Sequence, residues 1–424
     1  MTTHRVPYGN GFLEFDLSAA AAGGHAIDTL APRAAAPAAD PGAAVESALE
    51  AASLPPYRGG GCAIAINDKT RPVPHDRLLP PLLRRLERAG VAPGDILLLV
   101  ATGTHPVMPP SQFAEIVPPA ILQRYRVACH DAHDHDRLMF LGDTSRGTPI
   151  WVNREYLARE LRIVVGVIEP HQFVGFSGGV KSAAIGLGGY ATVTRHHSMM
   201  TRPLARIGRY DDNPCRQDIE EIGSRIGVHL ALNVILGEEK RIIAALAGLP
   251  SEVMRRGVPL VRSLNQVDVS RPFDLMIVSP GGHPKDVNLY QAQKALAHAA
   301  LVTRPGGTIL MAAACPDGTG SAVYEDWMSR ADMTSHEAVI ARFSREGYSI
   351  GPHKAFQISR DASRFRLALY SEMPPGLVER LLLTPVHDFN RAVADAVDAL
   401  APGSRIGVMP RANATIPVAL DGTP

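Results

Sequence analysis

Residues 161–181 read "LRIVVGVIEPHQFVGFSGGVK". The opening "LRIVVGVI" is almost wholly apolar and rich in β-branched residues, the pattern of a parallel strand buried on both faces. The strand runs straight into Glu169 and His171. A glycine-rich loop follows, with Gly175, Ser177, Gly178 and Gly179, and it ends on Lys181. A Walker phosphate loop needs glycine before its lysine; Val180 stands there instead, and no Walker B acid accompanies it, so the loop does not belong to an NTPase.

Working outward, the same run of apolar residues closing on a polar turn recurs in "GCAIAIND" (61–68), "DILLLVATGTH" (95–105) and "GVHLALNVILG" (227–237). Between the first two lies "RLLPPLLRRLERAG" (77–90), with helical spacing. Strand, helix, strand in alternation predicts an α/β sheet with helices on both faces. A second pattern starts at "FDLMIVSPGG" (273–282). It continues through a helix, "NLYQAQKALAHAALV" (288–302), and strands in "GGTILMAAACPDG" (306–318), "FRLALYSEM" (365–373) and "RIGVMPR" (405–411). The last two flank a helix in 388–403, ended by Gly403. The expected architecture is two α/β domains with mainly parallel sheets and an active-site cleft between them. The larger covers 1–268, the smaller 272–410, and 411–424 forms a tail. The Ala- and Pro-rich stretch 19–56 reads as extended connector with one helix over about 41–52.

The 424 residues suffice for two real cores. Hydrophobic residues make up 46% and charged residues 20% of the chain, and 43 basic side chains face 42 acidic ones, a balance that disfavours nucleic acid. No apolar run reaches the ~18–20 residues of a membrane span, and the N-terminus has no hydrophobic signal core. The four cysteines are scattered without CxxC spacing, which reads as reduced thiols in the cytoplasm.

Ligands of open α/β sheets collect at the carboxyl ends of strands, so the turns at 67–72, 101–106 and 169–173 are expected to face one pocket. Asp68, Thr70 and Arg71 suit a hydroxyl-bearing or anionic ligand: the carboxylate accepts from hydroxyls and the guanidinium forks onto an oxyanion. A capped turn with an internal salt bridge is the competing reading. His105 and His171 each leave a buried strand, and each is either a general base near neutral pH or a hydrogen-bonded structural histidine. The glycines free the amides around Ser177, Gly178 and Gly179 for an anion-binding nest. Lys181 enters the apolar "SAAIGLG"; such surroundings lower a lysine's pKa and make it a nucleophile or covalent anchor, unless it is a surface lysine on a tight turn. His196 and His197 are adjacent and point different ways, so at most one reaches a given site. The "CHDAHDHD" stretch (129–136) is dense in metal-binding side chains, but zinc sites draw ligands from two separated pairs, and it reads as a polar turn. On the 288–302 helix Tyr290 and Lys294 share a face and Gln291 lies near, a group suited to a carboxylate.

Taken in order, "PYGNGFLEFDL" (7–17), "DKTRPVP" (68–74), "GTHP" (103–106), "EPHQFVGFSGGVK" (169–181), a histidine sixteen residues on, "DNPCRQDIEEIG" (212–223) and "NLYQAQKAL" (288–296) resemble the lactate racemase family over nearly the whole chain. The resemblance implies an isomerase that inverts C2 of a 2-hydroxy acid by proton-coupled hydride transfer to a nickel-pincer nucleotide. It implies that Lys181 tethers that cofactor, that His197 rather than His196 ligates nickel, and that His105 and His171 are the two bases. Asp68, Thr70, Arg71, Ser177, Gly178 and Gly179 then line the cofactor region, with Arg71 also serving catalysis. Tyr290, Gln291 and Lys294 meet the substrate, Lys294 as a catalytic cation. Separate biosynthetic enzymes would supply the cofactor. The substrate is lactate-like, malate-like or a sugar acid: in "GPHKAF" (351–356) His353, Lys354 or Phe356, or else Trp327, stands near an aromatic position of the family, and a cation there suits a second carboxylate. The alternatives are a nicotinamide-dependent hydroxy-acid oxidoreductase, disfavoured because no GxGxxG follows a strand in the right context, and an inactive cofactor-binding homologue. A zinc hydrolase built on 129–136 is more distant.

Overall fold

The computed structural model of the chain describes residues 3–71, 73–237 and 240–420. It divides into two compact units, one of Ala34–Leu264 and one that joins Met1–Arg33 to Asn265–Pro424.

The Ala34–Leu264 unit is built on a six-stranded sheet. From one edge to the other its strands are Ile242–Gly248, Leu230–Leu236, Leu161–Val167, Cys62–Asn67, Ile96–Ala101 and Arg126–Cys129. All neighbours are parallel except the first pair. Ile64 sits in register with Ile163 on one side and Leu98 on the other. The carboxyl ends at Asn67, Ala101 and Val167 therefore emerge on one side of the sheet. Burial on both faces explains the unbroken apolar runs: every residue of Ile96–Ala101 is buried.

One face is covered by Pro41–Ala51 and His75–Arg88. The second helix contains Pro80 and Pro81, yet it holds. An interior proline costs about 3 kcal/mol, whereas each buried leucine contributes about 1.5–3 kcal/mol. Leu78, Leu79, Leu82, Leu83 and Leu86 are all buried there, so packing outweighs propensity. On the other face the helix Pro214–Ile226 packs its Gly223 against Val180, where a Cβ would lie 2.5 Å from the valine side chain.

The second unit carries a fully parallel sheet in the order Thr384–Val386, Arg366–Tyr370, Thr303–Ala312, Phe273–Val278, Arg405–Met409 and Ala26–Thr29. Helices Leu289–Ala299 and Pro352–Ala362 bury Ala292, Leu296, Ala355 and Ile358 in one core with Met276 and Ile309. Phe389–Asp398 covers the opposite side with Phe15, Leu275 and Ile277.

Three expectations change. Residues 1–33 do not belong with the first domain, because Ala26–Thr29 lends its backbone to the edge of Arg405–Met409 and Arg405 holds Asp28 at 2.5 Å. The 411–424 stretch is not wholly a tail, since Ile416–Ala419 pairs in parallel with Gln266–Val269; residues 421–424 lie outside the described residues. The helix expected to end at Gly403 ends at Asp398, capped by Ala399. Among the described residues no helix is long and apolar enough to cross a membrane.

Candidate active site

The turns that follow Asn67, Ala101 and Val167 bring Asp68, Arg71, His105 and His171 to one pocket, and the glycine-rich loop adds Ser177, Gly178 and Lys181. His197 completes the wall from the helix Tyr190–Ser198.

Asp68 is buried and its two oxygens have separate tasks. Oδ2 lies 2.7 Å from His105 Nδ1, while Oδ1 accepts from the Thr70 amide at 3.1 Å and hydroxyl at 2.6 Å. Burial alone would raise the Asp68 pKa, but the bonds from His105 and Thr70 outweigh it and hold the carboxyl below its usual range. Thr70 itself is exposed; it works through Asp68. His105 is about 45% exposed, so its ring reaches solvent while Asp68 anchors it from below.

His171 lies on a two-residue strand, Pro170–His171, paired with Gly175–Phe176. Its ring meets Phe173 edge-on at 4.9 Å, and the Val174 amide points at Nδ1 from 3.4 Å. Gly175 makes this hairpin possible. Its φ is +78°, and a Cβ would sit 1.6 Å from the Arg209 carbonyl oxygen.

The expected nest is only partly present. The Ser177 amide donates to the Glu169 carbonyl at 2.9 Å, its hydroxyl donates to Val167 at 3.1 Å, and the Gly179 amide donates to Asn233 Oδ1 at 2.7 Å. These donors shape the loop rather than await an anion. Gly179 packs against Arg216 and Met254. The cationic character comes from side chains instead. Burial, with the Arg71 and Arg216 charges, pushes Lys181 down to about 7, so its amine is partly neutral at physiological pH.

The loop has a clamp that residue-by-residue reading missed. Arg216 is fully buried and donates to the carbonyls of Phe176 at 3.1 Å and Gly178 at 3.2 Å. Glu220 pairs with it one helical turn on, at 2.8 Å, and Tyr210 lies under its guanidinium. Asn213 caps the same helix and donates to the Phe173 carbonyl at 2.9 Å. The available signal was a lone arginine on the apolar face of "NPCRQDIEEIG".

The two vicinal histidines separate cleanly. His196 is buried, with Nε2 2.9 Å from the Cys215 carbonyl, and burial lowers its pKa to about 4. His197 faces the pocket. The "CHDAHDHD" stretch behaves as a structural turn: His130 is fixed between the Gly188 carbonyl at 3.0 Å and Asn153 at 3.3 Å. Among the described residues no three His, Cys, Asp or Glu side chains form a metal-binding group. A nickel held largely by a cofactor's own atoms needs only one protein ligand, so this does not bear on His197.

The lactate racemase N-terminal domain family matches residues 8–208 and the lactate racemase C-terminal domain family matches residues 269–416. The lactate racemase of Thermoanaerobacterium thermosaccharolyticum is 26% identical over 82% of either chain. The chain belongs to the lactate racemase family of isomerases. The lactate racemase of Lactiplantibacillus plantarum is 35% identical over 61% of either chain. In structure, the T. thermosaccharolyticum lactate racemase apoprotein superposes with a TM-score of 0.87 at 25% identity, covering 98% of this chain and all of that one. A Thermotoga maritima protein shares the fold, with a TM-score of 0.66 at 18% identity over 89% of this chain and 97% of that one.

In the second unit of this lactate racemase family member, Tyr290, Gln291 and Lys294 lie on Leu289–Ala299. Lys294 Nζ donates to Gln291 Oε1 at 2.7 Å, and the Tyr290 hydroxyl lies 3.3 Å from His353 Nε2. Lys354 is not an exposed cation. It is 3% exposed, its ammonium stands 4.3 Å from the Tyr290 ring centre, and it donates to Gln293 at 3.3 Å. Burial pushes it down to about 7. Trp327 and Phe356 are core residues: the indole donates to Glu346, and Phe356 stacks on Phe343 at 4.7 Å.

Proposed function

We propose that the protein inverts C2 of a 2-hydroxy acid, with lactate the first candidate and malate-like or sugar acids next, using a nickel-pincer nucleotide held at Lys181. The observation that carries this reading is the single pocket that gathers His105, His171, Lys181 and His197. The side chains fit the group. Lys181 offers an amine that is partly neutral and can form a covalent bond, Arg71 supplies positive charge for a phosphate or carboxylate, and His197 offers an imidazole to a square-planar metal. When bound, the nucleotide would supply the acceptor and donor for the C2 hydrogen as hydride.

The rest falls to the chain's own residues. His105, with Nδ1–H on Asp68, turns a basic Nε2 to the substrate and takes the hydroxyl proton. The resulting 2-oxo acid is planar at C2, so hydrogen can return to either face. His171 returns the proton when the opposite enantiomer forms, which is why two bases serve better than one. Arg71 orients the carboxylate. Tyr290, Gln291 and Lys294 offer a phenol, an amide and an ammonium suited to a carboxylate. The four cysteines are buried thiols, in keeping with a reducing cytoplasm, where the cofactor-making enzymes would act first.

The test is whole-protein mass and metal analysis after co-expression with those enzymes. A nickel-containing adduct on the parent that vanishes in Lys181→Ala supports the reading. An unmodified, nickel-free parent removes it.

A further inference from the structure

His196 is a buried imidazole in contact with the side chain proposed to hold nickel. Its Nε2 lies 2.9 Å from the Cys215 carbonyl oxygen. A carbonyl only accepts, so Nε2 carries a hydrogen. Its Nδ1 lies 3.1 Å from His197 Nδ1, and one of those two nitrogens must donate. Were His196 the donor it would be a cation, and its ring is fully buried, where an imidazolium is strongly disfavoured. The hydrogen therefore sits on His197 Nδ1 and the lone pair on His196 Nδ1.

From this geometry we infer that His196 is a positioning residue that fixes the tautomer of His197, so that His197 presents Nε2 as its metal-binding nitrogen. The relay runs from the Cys215 carbonyl through both rings. It starts on a helix that is itself anchored, because Asn213 caps Pro214–Ile226 and accepts from the Cys215 and Arg216 amides. Metal-bound histidines ordinarily have their second ring nitrogen held by a carboxylate or carbonyl. Here a neutral imidazole stands in that place, and it adds no negative charge beside the metal. The inference rests on the nickel assignment made above, but its first test does not.

That test is long-range 1H–15N correlation NMR on the metal-free, 15N-histidine-labelled chain. His197 is expected as the Nδ1–H tautomer in the parent; an Nε2–H tautomer there overturns the relay without recourse to any variant. Two near-isosteric substitutions then divide the contacts. His196→Asn keeps an acceptor where Nδ1 was and loses the bond to Cys215, while His196→Gln keeps a donor to Cys215 and loses the acceptor. Asn is expected to preserve the His197 tautomer. Gln and His196→Ala are expected to mix it and to lower nickel retention about 10–100-fold in the loaded protein. Equal behaviour of Asn and Gln, by tautomer and by nickel content, overturns the proposal. If His197→Ala retains nickel as the parent does, the nickel assignment fails instead, and the tautomer of the metal-free parent still decides the relay.

Discussion

Asp68 Oδ2 lies 2.7 Å from His105 Nδ1, and this contact determines which nitrogen of the ring is basic. Because Asp68 is held ionised by the bonds from His105 and Thr70, it accepts the Nδ1 hydrogen and leaves the lone pair on Nε2. Asp68→Asn keeps the shape and reverses the preference, since the amide can present a donor to Nδ1. The expected loss in kcat is about 10²–10⁴-fold, the usual worth of a positioned general base. Steady-state kinetics in both directions would check it, with KM changing less than kcat.

Lys181 should react as an amine with a midpoint near pH 7 rather than near its ordinary value, because burial and the Arg71 charge disfavour its ammonium form. Acylation of the cofactor-free protein, followed at this residue by peptide mass spectrometry across pH 5–10, measures it directly. Arg71→Ala should move the midpoint upward. An unchanged midpoint would show that Arg71 does not act on this amine.

Lys354 makes a stability prediction. Its folded pKa, about 7, lies below its value in the unfolded chain, so between the two the unfolded state binds more protons and stability rises with pH. Thermal melts of the parent should therefore climb from pH 7 toward pH 9.5. Lys354→Met, which removes a buried ammonium set against Gln293 and the Tyr290 ring rather than a carboxylate while keeping bulk, should flatten part of that climb and be neutral or stabilising at pH 7. Substrate preference across a hydroxy-acid panel should not change, since the ammonium is buried against the Tyr290 ring and Gln293.

Much of this was legible in the sequence, and the limits have physical causes. Strands such as Cys62–Asn67 and Leu161–Val167 announce themselves because both faces are buried and the runs Cys62–Ile66 and Ile163–Val167 are wholly apolar. His105 and His171 were visible because each ends such a strand. Arg216 and Asn233 were not: Arg216 is one of several charged residues on its helix, Asn233 is a lone polar residue in an apolar strand, and their partners lie 38 and 54 residues away. For the same reason Ser177 and Gly179 looked like donors to an anion when their hydrogen bonds already end on Glu169, Val167 and Asn233. Ala26–Thr29 escaped notice because four residues at a sheet edge carry too little pattern. Lys354 looked like a cation for a second carboxylate because the sequence does not reveal that it is buried against the ring of Tyr290.

Gly175→Ala should be among the most damaging single changes in the loop. The added Cβ falls on the Arg209 carbonyl oxygen, backbone that cannot swing aside, and the residue has φ +78°. A loss of about 3 kcal/mol or more is expected from such a clash, read as a fall in the denaturant midpoint. Gly24→Ala, at a positive φ with nothing within 4 Å, should cost distinctly less and serves as the control.

The most direct test of the account is racemisation of lactate deuterated at C2 by the nickel-loaded protein in ordinary water, with chiral separation and mass analysis of the product. Inversion with the deuterium retained at C2, lost together with activity in both His105→Ala and His171→Ala, is the predicted result. Inversion with deuterium washed out into solvent, or none by a folded and fully loaded protein on any 2-hydroxy acid, would contradict it.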